Sequence, residues 1–118
     1  MNTSLEFHDS EISSVEAVGE DLLVRFSDAF VHESVGDPGI DHGATSLRPL
    51  ELKFCEASWS GAVLPIGGLL TDGHVRFGEM HYSLLPLPFD AAGAVRAEFI
   101  FATGEVLSVS AHSVSCSA

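Results

Sequence analysis

Hydrophobic and polar residues alternate in short runs along most of this chain, and Gly, Pro and Asp separate the runs. Alternation with a period of two is typical of a half-buried β-strand, because successive side chains of a strand point to opposite faces. No segment keeps a helical period for more than a turn or two. The pattern predicts an all-β protein with little or no helix, in which about eight antiparallel strands form a β-sandwich or a partly closed β-barrel.

Two hairpins are the clearest local predictions. Residues 11–18 and 22–26 flank a turn that contains Gly19, and Leu22, Val24 and Phe26 share one face. The alternating runs at 95–101 and 107–111 flank a second glycine-containing turn. Apolar alternation on both sides of a short turn is the usual sequence signal of an antiparallel hairpin.

Elsewhere Gly, Pro and Asp residues predict interruptions of the strands. A first short strand ends at residues 9–10, the longest loop covers 36–45, and Asp-Gly within 71–74 forms a tight turn. The segments 61–70 and 85–89 are apolar but contain Gly or Pro, which do not fit the middle of a central strand.

Length and composition favour one domain that covers residues 1–118. The hydrophobic fraction is 46% and includes eight Phe, enough for a packed core. Cys55 is expected to be a buried small hydrophobe and Cys116 a thiol in the C-terminal tail. The first residues do not resemble a secretory signal, and no apolar run is long enough to span a membrane, so a cytoplasmic location is expected.

Charge is the strongest compositional bias, with 17 acidic and 5 basic residues and a net charge of −12. Nucleic-acid binding is disfavoured because phosphate contacts need clustered Lys and Arg, and anionic membrane surfaces are disfavoured for the same reason. The acidity serves solubility, or it steers the chain toward a basic protein partner.

Six histidines raise the question of a metal site. Their spacing matches no metal-binding motif, so no metal or other cofactor is predicted. Glu79 and His81 would share one face of a strand, and long-range convergence of His8, His32 and His81 is the remaining way to build a site.

The sequence Phe7-His8-Asp9-Ser10 contains the residue types of a catalytic triad. In an extended strand, however, His8 and Ser10 share a face from which Asp9 turns away, whereas a triad needs the carboxylate to orient the imidazole. We expect Asp9 and Ser10 to bond the backbone of a local turn instead.

The two Pro-interrupted apolar segments are the candidate interaction surface. They either cover a barrel end or sheet edge, or they form the apolar centre of a homodimer or partner interface with an acidic rim. The residues of this predicted interface are Trp59, Val63, Leu64, Ile66, Leu69, Leu84, Leu85, Leu87 and Phe89.

The opening Phe7-His8-Asp9-Ser10, followed by the run from Asp21 to Phe26, resembles the start of small, uncharacterised bacterial β-rich proteins, some of them immunity proteins of polymorphic toxin systems. The resemblance covers about the first quarter of the chain and implies a stoichiometric inhibitor of a toxin. Acidity is compatible with a basic toxin as the partner.

Three functional hypotheses follow. The first is a non-catalytic protein-binding module, immunity-like, with possible homodimerisation through the apolar segments. The second is a carrier of a small apolar ligand, which needs a cavity inside the barrel. The third is a metal-dependent or hydrolytic enzyme that uses His8, Asp9 and His81.

Overall fold

The computed structural model describes residues 1–116, and the described chain consists of nine strands with no helix. The strands are β1 (Asn2–Val18), β2 (Asp21–Ser34), β3 (Ala44–Cys55), β4 (Ser58–Gly61), β5 (Gly68–Phe77), β6 (Met80–Tyr82), β7 (Leu84–Leu87), β8 (Phe89–Phe101) and β9 (Val106–Cys116). All pairings are antiparallel. The all-β prediction is confirmed, with nine strands where about eight were expected.

Six strands form a closed barrel, so of the two predicted architectures the barrel is the one adopted. Their order is β5-β8-β9-β3-β2-β1, and the ring closes where Glu11 and Ile12 of β1 pair with Leu69 and Gly68 of β5. The other strands are additions: β4 pairs with β9, β6 with β5, and β7 with β1. Closure stabilises the sheet because it removes long unpaired edges.

Inward-pointing side chains of all six barrel strands form one continuous core. Phe99 lies between two other rings, with its centroid 5.8 Å from that of Phe7 and 6.3 Å from that of Phe54, both in edge-to-face geometry. Phe26 and Phe101 are also buried. Large aromatic side chains therefore fill the barrel interior.

Strand β1 changes partner part-way along one edge. Its residues Thr3 to Glu6 pair with β7, and Glu11 and Ile12 pair with β5. A bulge lies between the two stretches. Glu6 pairs with Phe30 of β2 and Glu11 pairs with Asp28, so the β1 segment between these pairs is longer than the β2 segment opposite it. Within this bulge Asp9 has a φ of 69°, in the left-handed region. The bulge bends β1 away from β7 and toward β5.

Strand β9 makes the corresponding change at the opposite side of the ring, since three steps separate it from β1 in either direction. Its first half pairs with β4 and its last residues pair with β3. The chain turns between β3 and β4 at Glu56, which has a φ of 49°. We call these two places the β1 corner (residues 6–11) and the β9 corner (residues 55–57 with 111–113).

Both predicted hairpins are confirmed and extend further than the alternation indicated. Three predicted interruptions are wrong. Residues 9–10 do not end a strand, because the bulge lets β1 continue. Residues 71–74 do not turn, because Gly73 sits inside β5, where an added Cβ would lie 2.9 Å from the Phe7 Cβ. Pro86 does not end pairing, because β7 is an outer strand bound on one side to β1.

The cysteines also differ in part from expectation. Cys55 is only partly buried, at the end of β3. Cys116 is not a tail thiol but a core residue at the end of β9, between Leu52 of β3 and Phe89 of β8. Burial raises the pKa of the Cys116 thiol to about 11, because the thiolate loses its hydration.

Candidate functional site

A surface groove of about 650 Å³ lies at the end of the barrel where the chain begins. The start of β1 forms one wall, β6 and β7 form another, and the loop between β2 and β3 covers a third side. The lining residues are Met1, Asn2, Thr3, Ser4, Gly36, Asp37, Pro38, Ile40, Met80, Tyr82, Leu84, Pro86 and Leu87.

Two hydrogen bonds hold the loop that covers the groove. The side-chain amide of Asn2, on β1, donates to the Gly36 carbonyl at 2.8 Å, and the Asp37 backbone N–H donates to an Asp41 carboxylate oxygen at 2.8 Å. Gly39 has a φ of 83°, and an added Cβ there would lie 3.1 Å from Leu84 Cδ1. The loop therefore packs closely on β7 because a glycine stands at the contact.

The groove combines exposed apolar side chains with carboxylates. Met1, Ile40 and Met80 are 82%, 76% and 54% exposed. Asp37 lines the groove, and Asp41 is bound to it through the backbone. Exposed apolar side chains grouped with charged neighbours are characteristic of interaction surfaces.

Sequence reasoning named Leu84 and Leu87 of this groove but missed Met1, Ile40 and Met80. The alternation of Met80, Tyr82 and Leu84 was a usable signal, because all three do share a face and that face is the groove wall. Ile40 gave little signal, being one aliphatic residue in a loop of Gly, Pro and Asp.

The structure corrects the predicted apolar interface in two ways. First, Leu85, Leu87 and Phe89 belong to the barrel core, because alternate residues of β7 and β8 point inward. Leu87 also lines the groove with its small exposed part. Second, the remaining residues do not form one surface. Trp59 lies on β4 beside β9, whereas Leu84 lies on β7 beside β1, and β9 and β1 occupy opposite sides of the barrel.

Val63, Leu64 and Ile66 belong to the connection from β4 to β5, and Leu69 belongs to β5. Val63 and Leu69 are exposed, whereas Leu64 and Ile66 pack partly against the core. A role for the exposed residues in partner binding stays a prediction.

A second group of side chains lies at the β1 corner. Regular alternation would turn Asp9 inward, but its left-handed backbone turns its carboxylate outward beside His8, with Asp9 Oδ2 3.1 Å from His8 Nδ1. One ligand atom each from Glu6, His8 and Asp9 lies within 4.8 Å of the others. His8 and Asp9 thus share the outer face, contrary to the expectation for an extended strand.

Ser10 occupies the inward position that Asp9 leaves. Its side chain is fully buried, where its hydroxyl donates to the Glu6 carbonyl at 2.5 Å and accepts from the Phe30 backbone N–H at 2.8 Å. The expected bonding to backbone is found for Ser10, at a bulge within β1 rather than at a turn, whereas the Asp9 side chain faces His8. These bonds satisfy groups that the bulge takes out of the ladder, so Ser10 has a structural reason to be there.

Of the four predicted metal candidates, His8 lies in the β1 corner and His32 contacts that corner through Glu6, whereas His81 and Glu79 lie elsewhere. His32 Nε2 lies 3.3 Å from Glu6 Oε1, and its side chain is 16% exposed beneath the β2–β3 loop. His81 stacks on His74, with ring centroids 4.6 Å apart. Glu79 stands in the turn before β6 rather than on one strand with His81, and it lines a depression with Arg76 and Arg96.

The β9 corner holds one imidazole and one carboxylate. His112 Nδ1 lies 3.3 Å from Glu56 Oε2, and both side chains are largely exposed. Among residues 1–116, no third His, Cys, Asp or Glu joins this pair within the reach that unites Glu6, His8 and Asp9.

Comparisons with protein-family models, with curated proteins and with solved structures find no match for this chain. Within the described part of the chain there is no helix of the length and apolarity needed to cross a membrane.

Proposed function

We propose that this chain is a non-catalytic binding protein whose groove receives a basic protein partner. The observation that carries the proposal is the exposure of Met1, Ile40 and Met80 beside Asp37 in a chain of net charge −12. Apolar side chains supply the contact area that becomes desolvated, and the carboxylates select a positively charged rim on the partner.

The distribution of basic side chains supports the same partner chemistry. Three of the five already face carboxylates of this chain: Arg25 with Glu16 and Glu51, Arg48 with Glu33, and Lys53 with Asp21. The hydrogen bond to Glu16, and then that to Glu51, raises the pKa of Arg25. Internal pairing leaves few free cations to oppose a basic partner.

The remaining cations, Arg76 and Arg96, lie opposite each other on β5 and β8 and line a depression separate from the groove. The groove itself contains no basic side chain among its lining residues. Asp37 is the acidic side chain of the lining and Met1 carries the amino terminus, so the negative charge that a basic partner requires comes mainly from the chain as a whole, at −12.

Within this proposal the partner is a toxin that the chain inhibits in the cytoplasm, as the resemblance of the first quarter implies. The two alternatives have less support. A small-ligand carrier needs interior space that Phe7, Phe54 and Phe99 occupy. An enzyme built on His8, Asp9 and His81 needs these residues together, whereas His81 lies against His74.

The test is co-expression with a panel of basic nuclease-toxin domains, scored by growth rescue, followed by titration calorimetry of each rescuing pair. We expect rescue from at least one toxin and a one-to-one complex whose affinity falls as salt rises. Ile40→Lys and Met80→Lys place a repelling charge in the groove and should weaken the complex roughly tenfold or more.

Val63→Lys is the matched control, because Val63 is 81% exposed and does not line the groove. Equal losses in all three variants would mean that general acidity, not the groove, recognises the partner. Absence of rescue across the panel, with no complex at any salt concentration, would contradict the proposed function.

A further inference from the structure

The β1 corner gathers donors from two strands that the proposed function does not use. Glu6, His8 and Asp9 come from β1, and His32 comes from the neighbouring β2. The corner thus offers the His8 imidazole and two carboxylates on the outer face of the barrel, and the His32 imidazole contacts the Glu6 carboxylate.

The backbone explains why these donors meet. In a regular strand, residues 6 and 8 face outward and residue 9 faces inward. The bulge with Asp9 at a φ of 69° adds a third outward ligand next to His8, and buried Ser10 fixes the bulge through the Glu6 carbonyl and the Phe30 N–H. The left-handed conformation is costly for a residue other than glycine, and here it delivers a carboxylate to an imidazole.

The donor chemistry fits a divalent transition metal. Imidazole nitrogen and carboxylate oxygen are the usual zinc ligands besides thiolate, at about 2.0 to 2.2 Å from the ion. Ligands around a tetrahedral ion at that distance are about 3.5 Å apart. The three β1 ligand atoms lie within 4.8 Å of one another on exposed side chains, so small rotamer changes bring them onto one ion.

We propose that Glu6, His8 and Asp9 bind one divalent transition-metal ion, with Zn²⁺ the best match to this donor set, and that His32, 3.3 Å from Glu6, positions the Glu6 carboxylate. Each imidazole now faces a carboxylate, His8 to Asp9 at 3.1 Å and His32 to Glu6 at 3.3 Å.

The experiment is titration of chelator-treated protein with ZnCl₂ alone, followed by calorimetry, with Co²⁺ absorption as an independent readout of coordination. We expect saturation at one ion per chain. His8→Ala and His32→Ala should each weaken binding roughly ten- to hundredfold. The side chains of Glu6, His8, Asp9 and His32 are exposed or partly exposed, so we expect the variants to fold. Circular dichroism will show whether each variant remains folded.

The chain supplies two matched controls. His112→Ala removes an imidazole that also faces a carboxylate at 3.3 Å but has no third ligand, and His74→Ala with His81→Ala removes the stacked pair. Both controls should leave Zn²⁺ binding unchanged. The proposal is overturned if no stoichiometric binding occurs, if either His8→Ala or His32→Ala binds normally, or if a control variant loses the ion. The groove experiment contains no metal, so the two proposals can fail separately.

Discussion

The β1 corner and the β9 corner solve the same topological problem on opposite sides of the barrel. At each, a strand changes its neighbour along one edge, and an acidic residue adopts a left-handed conformation, Asp9 at one and Glu56 at the other. At each, that acidic residue also faces a histidine, His8 at 3.1 Å and His112 at 3.3 Å.

The corners differ in what surrounds this common arrangement. The β1 corner adds Glu6 and the largely buried His32, and Ser10 ties it to the strand ladder from inside. At the β9 corner, the Glu56 N–H donates to an exposed Asp21 carboxylate at 3.2 Å. The left-handed residue thus accompanies a change of strand partner at both corners, whereas three potential metal ligands come together at the β1 corner alone among the described residues.

The largest expected effect tests what the corners share, which is the core beneath them. Phe7 lies under the β1 corner and Phe54 near the β9 corner, and both pack against Phe99. Phe7→Ala and Phe54→Ala should each lower the free energy of unfolding by about 3 to 5 kcal/mol, because each leaves a large cavity. Urea denaturation measures this loss. A much smaller loss for Phe7 would show that the β1 corner unfolds apart from the barrel.

The next effect separates the corners. Ser10→Ala removes the buried hydroxyl to which the Glu6 carbonyl and the Phe30 N–H are bonded, so the free energy of unfolding should fall by about 1 to 3 kcal/mol. Ser110→Ala, near the β9 corner on an exposed position, should change it by less than about 0.5 kcal/mol. Equal stabilities in urea for the two variants would mean that Ser10 does not hold the bulge.

The smallest effect compares the two left-handed residues directly. Asn adopts this conformation more readily than Glu and about as readily as Asp. Glu56→Asn should therefore raise the free energy of unfolding by up to about 0.5 kcal/mol, while Asp9→Asn should leave it unchanged. In the same proteins, Asp9→Asn should weaken Zn²⁺ binding and Glu56→Asn should not. Thermal unfolding with and without the ion gives both readings, and a reversed pattern would refute the distinction between the corners.

Particular residues show which structural features could be predicted from the sequence and which could not. The alternation at 95–101 and 107–111 correctly predicted the β8–β9 hairpin, because both strands and their turn lie in one short segment. The Asp-Gly at 72–73 misled, since Gly73 is required not by a turn but by Phe7, which lies 66 residues earlier and packs where a Cβ would be. Likewise, Pro86 looked like a strand breaker because its pairing partner, Ser4, is distant in sequence.

The candidate sites divide in the same way. Leu84 and Leu87 were named from their apolar segment, but Ile40 comes to the groove only through the fold of the β2–β3 loop. Sequence reasoning left open a convergence of His8, His32 and His81 for a metal, but His81 lies against His74 and His32 against Glu6. His32 meets Glu6 because β1 and β2 pair in a particular register, and Asp9 joins Glu6 and His8 because a bulge reverses its direction.

By itself, the sequence determined the all-β class, the two hairpins and the strongly acidic charge, because alternation, turn residues and composition are local properties that need no distant partner. Tertiary structure decided that the sheet closes into a barrel, that β1 and β9 change partners, and that a groove and the cluster of Glu6, His8 and Asp9 form on its outer surface. Each of these depends on pairing between segments far apart in the chain, such as Glu11 with Leu69, and local patterns do not encode which distant strand will pair.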